Sequence, residues 1–283
     1  MIDASMLSFL APCFAASLIL AGIHAYLGVH VVERGVIFVD LSLAQIAALG
    51  ATIALLLPFS NGDPHAPFVY WISLAFTFMG AFVFSTIRSK RGRIPQEAII
   101  GICYAVASAA AILAMSKATS ESEHLKDMLV GNILAVSWSE VFKTAALYGA
   151  IGVFHFIFRD KFLAISMSHD KAEAAGLNVK FWDFLFYASF GFVVTSSVSI
   201  AGVLLVFSYL IVPSVAAMLY ADSIGKRLAI GWTMGTVVSA LGVFLSLKLD
   251  LPTGATIVCT FGLALVIMAA VRPLIQRQRH AVS

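Results

Sequence analysis

Long apolar runs alternate with short polar stretches along almost the whole chain. A helix needs roughly 20 apolar residues to cross the hydrocarbon core of a bilayer. Nine runs of about this length are present, at residues 6–32, 35–57, 68–87, 96–116, 139–158, 181–199, 201–219, 228–247 and 253–271. The pattern therefore predicts an all-α integral membrane protein, a polytopic bundle of eight or nine transmembrane helices.

The span count depends on residues 181–219, a long apolar stretch whose only charged residue is Asp183. We expect two helices there, with the break between Ser196 and Gly202, because serine and glycine are concentrated at that point. A single merged helix would reduce the count from nine to eight.

A shorter apolar run, residues 128–137, is about half as long as a full crossing and contains Gly131 and Asn132. This length favours a re-entrant or interfacial segment. The residues that follow, Trp138 to Glu140, supply an interfacial aromatic ring and a helix cap.

Two further features indicate close packing and bending of helices. Gly231 and Gly235 form a small-xxx-small pair, and Pro213 lies inside a span. Ordinary helix packing is the preferred interpretation of both, with a gate as the alternative.

The composition supports a membrane protein. Of 283 residues, 60% are hydrophobic, only 18 are Lys or Arg and 15 are Asp or Glu, and the mean hydropathy is +0.96. Soluble domains have about 25% charged residues, so this chain lacks the polar surface to face water. We expect one transmembrane domain over 1–283, with the lipid bilayer as its solvent and no nucleic-acid partner.

The basic residues predict the orientation. When loops are assigned to alternate sides, fourteen of the 18 fall on one side, at positions 34, 88–93, 159–180, 226–227 and 272–279. The positive-inside rule places these loops in the cytoplasm, which puts the C-terminus inside and the N-terminus outside.

Catalytic motifs are missing from the sequence, which has no HExxH, no GxSxG and no GxxxxGK[ST]. We therefore predict that the chain is not an enzyme, carries no covalent cofactor, and leaves any ATP chemistry to another chain.

Asp40 is the one carboxylate clearly inside a predicted span. It follows Arg34 by six residues, about 9 Å along a helix, and so lies just beneath the predicted cytoplasmic headgroups. Burying a carboxylate there costs a few kcal/mol, so it should face a cavity, a cation or a partner such as Arg34. A functional role and simple pairing are equally open.

His24, His30 and Glu33 approach the same junction from the first span. Imidazole and carboxylate groups are ligands for zinc, manganese or iron. The competing interpretation is that histidines at a helix end are satisfied interfacial residues.

The longest predicted cytoplasmic connection, residues 159–180, contains the stretch HDKAEAAGLNVK. Its charged positions, which include Asp170 and Glu173, alternate with alanines before Gly176, a residue able to end a short helix. Such a helix would insert into a groove on a partner; the alternative is a solvated loop with a helical turn.

Six stretches together resemble the permease subunits of the zinc/manganese-type metal importers of the ABC superfamily. They are GVIFVDLSLAQIAALGA (35–51), QEAIIGICYA (96–105), MLVGNILAVSWSE (128–140), AEAAGLNVKFWDFL (172–185), AGVLLVFSYLIVPSVAA (201–217) and DLPTGATIV (250–258). Each is weak alone, but all six occur in the family's order.

The resemblance implies a type II-like ABC importer permease in the bacterial inner membrane. It implies two permease copies, usually identical, with ATP-binding subunits below them and an extracytoplasmic metal-binding protein above. It also implies that the 159–180 loop is the coupling loop, whose ATPase-docking residues would be Asp170, Glu173, Ala174, Ala175 and Gly176.

The family's second span commonly has an Asp-Ala-Leu-Ser-His-Ala-type stretch that faces the metal path. Aligning its final glycine with Gly50 puts Gln45 at the histidine and Leu41 at the aspartate, with Asp40 one residue away. Gln is a poorer zinc ligand than His, so either Asp40 recruits other ligands such as His24 or His30, or the path binds the cation more weakly. The expected path residues are Asp40, Gln45, His24 and His30, with no tight site.

The sequence thus favours an importer of zinc, manganese or iron driven by a separate ATPase. The main alternative is a gradient-driven secondary carrier, which would require mid-membrane ionisable groups that are scarce here. An integral-membrane enzyme is a third possibility, but it lacks a catalytic constellation.

Overall fold

The computed structural model describes residues 4–60, 66–87, 95–116 and 133–282, and within them the regular structure is helical. We number the α-helices α1 (Ala4–Arg34), α2 (Val39–Leu56), α3 (Pro67–Ile87), α4 (Gln96–Met115), α5 (Trp138–Ile157), α6 (Arg159–Met167), α7 (His169–Ala174), α8 (Val179–Met218), α9 (Ile224–Leu249) and α10 (Thr253–Val282). Short 3₁₀ turns cover Pro58–Ser60 and Ile133–Ala135.

Eight of these helices are long and apolar enough to span a membrane: α1 to α5 and α8 to α10. Helix α8 has 40 residues, and Gly202 interrupts it with φ 74° and ψ 160°. At 1.5 Å per residue, 40 residues extend about 60 Å, twice the hydrocarbon thickness, so α8 accounts for two of the nine predicted runs. The predicted bundle of eight or nine spans is confirmed, with the break at Gly202.

Local sequence explains where several helices begin and end. Leu57 leaves α2 in an extended conformation because Pro58 follows it, and Pro67 occupies the first position of α3. Ser137 and Glu140 form a reciprocal capping box at the start of α5. The cap was predicted within residues 138–140; the structure has Ser137 as the cap, with Glu140 completing it. The predicted re-entrant run, residues 128–137, begins outside the described residues.

The described chain falls into two compact units. Unit 1 contains residues 1–32, 130–148 and 200–283, and unit 2 contains residues 33–129 and 149–199. The single transmembrane domain expected over 1–283 stays a prediction.

Within unit 1, small residues let helices approach closely. A Cβ built on Gly28 of α1 would lie 2.0 Å from the carbonyl oxygen of Leu210 and 2.3 Å from Oγ of Ser214, both in α8. The predicted small-xxx-small pair packs against α1 of the same chain, because a Cβ on Gly235 would lie 2.9 Å from Cβ of Ala21 and one on Gly231 would lie 3.3 Å from Cβ of Ala25. These contacts support the packing interpretation of the glycine pair.

Within unit 2, α2 packs between its neighbours. A Cβ on Gly50 would meet Cβ of Phe76 in α3 at 2.8 Å, and Oγ of Ser73 donates a hydrogen bond to the carbonyl of Ala47 at 2.8 Å. The first part of α8 is joined to α3 through the hydroxyls of Thr77 and Thr195, 3.1 Å apart. The middle of α2 is thereby held against α3.

We predict that Gly28→Ala destabilises the protein by about 1–3 kcal/mol, because the added methyl group must push α1 away from the α8 backbone. Titration with a denaturing detergent in mixed micelles measures the free energy of unfolding. The matched control is Gly22→Ala on the same helix, where a Cβ meets nothing within 4 Å. Equal stability of the two variants would contradict the packing described here.

Candidate functional site

Unit 2 contains a buried guanidinium, that of Arg34. Nη1 of Arg34, the last residue of α1, is 2.6 Å from Oδ1 of Asp183 in α8, and at most 1% of either side chain is exposed. Nε of Arg34 donates a hydrogen bond to Oγ of Ser166 in α6 at 2.8 Å. The guanidinium carbon lies 3.9 Å from the ring centroid of Phe186, a cation–π arrangement that a buried arginine favours.

Asp183 lies 149 positions from Arg34 in the chain. The sequence analysis named Arg34 as one of three possible neighbours of Asp40, beside a cavity and a cation. The structure pairs Arg34 with Asp183 instead. Asp183 follows its helix start by four residues, and no periodic pattern in the sequence distinguishes it from an ordinary interfacial acid. The sequence signal that could have marked Asp183 is that it is the only charged residue in the apolar stretch 181–219.

Asp40 lies in the first turn of α2 and is 1% exposed. Among the described residues, its Oδ1 has no hydrogen-bond partner. The positive end of the helix dipole favours a carboxylate in this position. Burial disfavours the charge, and Oδ1 is a buried acceptor that the described part of the fold leaves without a hydrogen bond.

A residue that the sequence analysis did not single out fixes the start of α2. Oε1 of Glu97, in the first turn of α4, accepts a hydrogen bond from the backbone N–H of Phe38 at 3.0 Å. Phe38 is the N-cap residue of α2. Glu97 thus supplies from a neighbouring helix the contact that a capping-box glutamate supplies within one helix, and it holds the turn that carries Asp40.

Gln45 lies on α2 with intermediate exposure, as does Leu41. Positions 41 and 45 share one helical face, but residue 40 is about 140° away from residue 45 around the helix axis. The shift of the aspartate by one position therefore moves it off the face that Gln45 occupies. The structure does not bring Asp40 and Gln45 onto one face.

His24 and His30 are both buried on the part of α1 that belongs to unit 1. Nδ1 of His24 donates a hydrogen bond to the carbonyl of Leu20 at 2.8 Å, and its ring lies edge-on to Tyr148. The ring of His30 lies edge-on to Tyr26, with centroids 4.8 Å apart. Across the described ranges, no three His, Cys, Asp or Glu side chains are grouped closely enough to hold a metal ion.

The predicted coupling loop, residues 159–180, contains the short helices α6 and α7 in unit 2. Helix α7 ends in a Schellman motif, with the N–H of Gly176 bonded to the Glu173 carbonyl and the N–H of Leu177 bonded to the Ala172 carbonyl. Gly176 has φ +79°, as the motif requires. The five predicted docking positions are all exposed: Asp170, Glu173, Ala174, Ala175 and Gly176.

Comparison with known proteins identifies the class. Residues 6–272 match the model of the ABC 3 transport family. Since this match covers almost the whole chain, the protein belongs to the ABC 3 transport family. The resemblance drawn from the six sequence stretches is thereby confirmed at the level of the family.

Two relatives and one solved structure illustrate the similarity. The chain is 26% identical over 251 residues to the manganese transport system membrane protein MntC of Listeria monocytogenes, covering 89% of this chain and 86% of MntC. It is 25% identical over 202 residues to the chelated iron transport system membrane protein YfeD of Yersinia pestis, covering 69% and 67%. Its fold matches the structure of PsaBC from Streptococcus pneumoniae in complex with Fab, with a TM-score of 0.77, 24% identity and 93% coverage of both chains.

We predict that Asp183→Ala lowers the free energy of unfolding by about 3–5 kcal/mol, because it leaves the Arg34 guanidinium buried without its counter-ion. Detergent-induced unfolding in mixed micelles provides the measurement. The control is Asp160→Ala, which removes an ion pair with Arg159 whose side chains are 92% and 55% exposed; exposed pairs contribute little, so no change is expected. A similar loss in both variants would contradict the assignment of the buried pair.

Proposed function

We propose that this chain is the permease subunit of an ABC importer for a divalent metal ion, either manganese, iron or zinc, and that ATP is hydrolysed by a separate subunit. The family match over residues 6–272 carries the proposal. The relatives named for manganese and for chelated iron transport support a metal ion as the substrate. We assign the chain no ATPase site of its own.

In this proposal, Asp40 is the main metal-path residue. A divalent cation that enters beside α2 compensates the buried carboxylate, and the site favours passage over retention because one carboxylate cannot form a full ligand shell. The proposed cargo is therefore bound weakly here and tightly by the extracytoplasmic binding protein.

The other predicted path residues act at separate points. Gln45 offers an amide oxygen on the partly exposed face of α2, about 7.5 Å further along the helix than Asp40. His24 and His30 are path candidates on α1, where His24 would use Nε2, since its Nδ1 is bonded to the Leu20 carbonyl. Gln45 replaces a stronger ligand of the family pattern, which suits transient binding.

The exposed face of α7 is the proposed docking surface for the ATP-binding subunit. Asp170 and Glu173 supply negative charge, and the small Ala174, Ala175 and Gly176 allow close approach. Two permease copies, proposed to be identical, would place two such surfaces on the cytoplasmic side predicted by the basic residues.

The decisive experiment reconstitutes the permease with its ATPase and binding-protein partners in liposomes and measures the transported metals by elemental analysis. We predict ATP-dependent uptake that falls at least tenfold in Asp40→Asn, because the neutral amide no longer offsets the charge of the cation. The control is Asp222→Asn in an exposed connection, which should transport normally. Uptake that needs no ATP would favour a gradient-driven carrier, and normal uptake by Asp40→Asn would remove Asp40 from the path.

We predict that Glu173→Arg weakens association with the ATP-binding subunit at least tenfold, because it reverses a charge on the exposed face of α7. Co-purification through a tag on the ATP-binding subunit measures this association. The control is Lys226→Glu, a charge reversal at an exposed position in the first turn of α9. Equal recovery of both variants would show that the ATPase docks elsewhere.

A further inference from the structure

We call residues 167–182, which contain α7, the coupling segment; the residues that flank its two ends contact a single side chain. Ser166 lies just before the segment 167–182 and Asp183 lies just after it. The guanidinium of Arg34 contacts both, through Nε to Oγ of Ser166 at 2.8 Å and through Nη1 to Oδ1 of Asp183 at 2.6 Å. Arg34 therefore closes the base of a loop that contains all of α7.

The connections within this loop are short and ordered. Only Ser168 separates α6 from α7, and its carbonyl accepts the N–H of Ala172 at 3.1 Å. On the far side, the Schellman motif at Gly176 is followed closely by Asn178, whose Oδ1 accepts the N–H of Phe181 as an N-cap of α8. A displacement of α7 is thus passed to α6 and to the start of α8.

Aromatic contacts also hold α6 against α5 and α8. The ring of Phe162 in α6 stacks on His155 of α5, with centroids 4.3 Å apart, and meets Trp182 of α8 edge-on. Nζ of Lys161 lies 4.4 Å from the Trp182 ring centroid. These contacts hold α6 beside α8 independently of the Ser166 hydroxyl, so removing that hydroxyl alone leaves the packing in place.

Arginine is suited to this position by its shape. Its planar guanidinium presents Nε and Nη donors in fixed directions, so one side chain can hold two partners at a set separation. Arg34, the last residue of α1, holds Ser166 and Asp183 in this way, one before the loop and one after it. The polar contacts of Arg34 link α1 to both ends of the segment.

We propose that Arg34 is a clamp that transmits displacement of the coupling segment to α1. The clamp prevents the loop from absorbing the movement of α7, so ATP-driven motion at the docking surface reaches the transmembrane helix that ends at Arg34. Arg34, Ser166 and Asp183 are positioning residues and do not touch the transported ion. The clamp rests on the proposed function, since it requires an ATPase that docks on α7.

The test measures the number of metal ions transported for each ATP hydrolysed in reconstituted complexes. Ser166→Ala removes the polar contact to α6 and keeps the buried ion pair. We expect this variant to assemble with the ATPase, to retain basal ATP hydrolysis, and to transport at least threefold fewer ions per ATP. Ser166→Thr keeps a hydroxyl and should restore the ratio.

The matched control is Ser85→Ala. Ser85 is also a buried serine of unit 2, but its hydroxyl donates only to the carbonyl of Phe82 in its own helix. We expect an unchanged transport ratio. A loss of stability shared by the two variants would lower the yield of complex but not the ratio, so the ratio separates transmission from simple stabilisation.

Arg34→Lys provides a second variant. It keeps the positive charge but cannot present the two guanidinium donors, so we expect a lowered ratio of ions to ATP here as well. The clamp is overturned if Ser166→Ala transports with the wild-type ratio, or if it fails to assemble, which would make the contact purely structural. Failure of the proposed function has a different signature, since wild-type complexes would then show no ATP-driven uptake.

Discussion

The buried ion pair between Arg34 and Asp183 is the constraint on which the rest of unit 2 depends. Two charges removed from water are tolerated only where each has a partner and further polar or aromatic contacts. Ser166 and Phe186 supply those contacts to Arg34. These contacts bring together the last residue of α1, the short helix α6 and the start of α8. Helix α7 lies in the chain between α6 and α8.

Asp40 and Asp183, the two buried aspartates in the part of unit 2 that the structure describes, differ in what surrounds them. Asp183 is fully paired within the fold, whereas Oδ1 of Asp40 finds no hydrogen-bond partner in the part of the chain that the structure describes. Glu97 fixes the turn that carries Asp40 without contributing a positive charge to it. In the proposed function, Asp40 interacts with a passing cation without holding it permanently.

Local patterns predicted much of the fold because membrane spans and helix ends depend on neighbouring residues. The apolar runs, the break at Gly202 and the end of α7 at Gly176 all follow from local chemistry. Arg34 was one possible partner for Asp40 because it is near in the chain, but the structure pairs Arg34 with the distant Asp183. Glu97 and Ser166 were missed for the same reason: their partners lie 59 and 132 positions away.

By itself, the sequence indicated an all-α bundle of eight or nine membrane spans, since apolar runs depend on composition and short-range periodicity. Its resemblance to a permease family indicated the class of protein and the coupling loop. Only the tertiary structure decided which acid is paired and which is not, and that Arg34 closes the base of the coupling segment. The physical reason is that burial and pairing of charges depend on contacts between helices far apart in the chain, and a one-residue shift along a helix moves a side chain by about 100° around its axis.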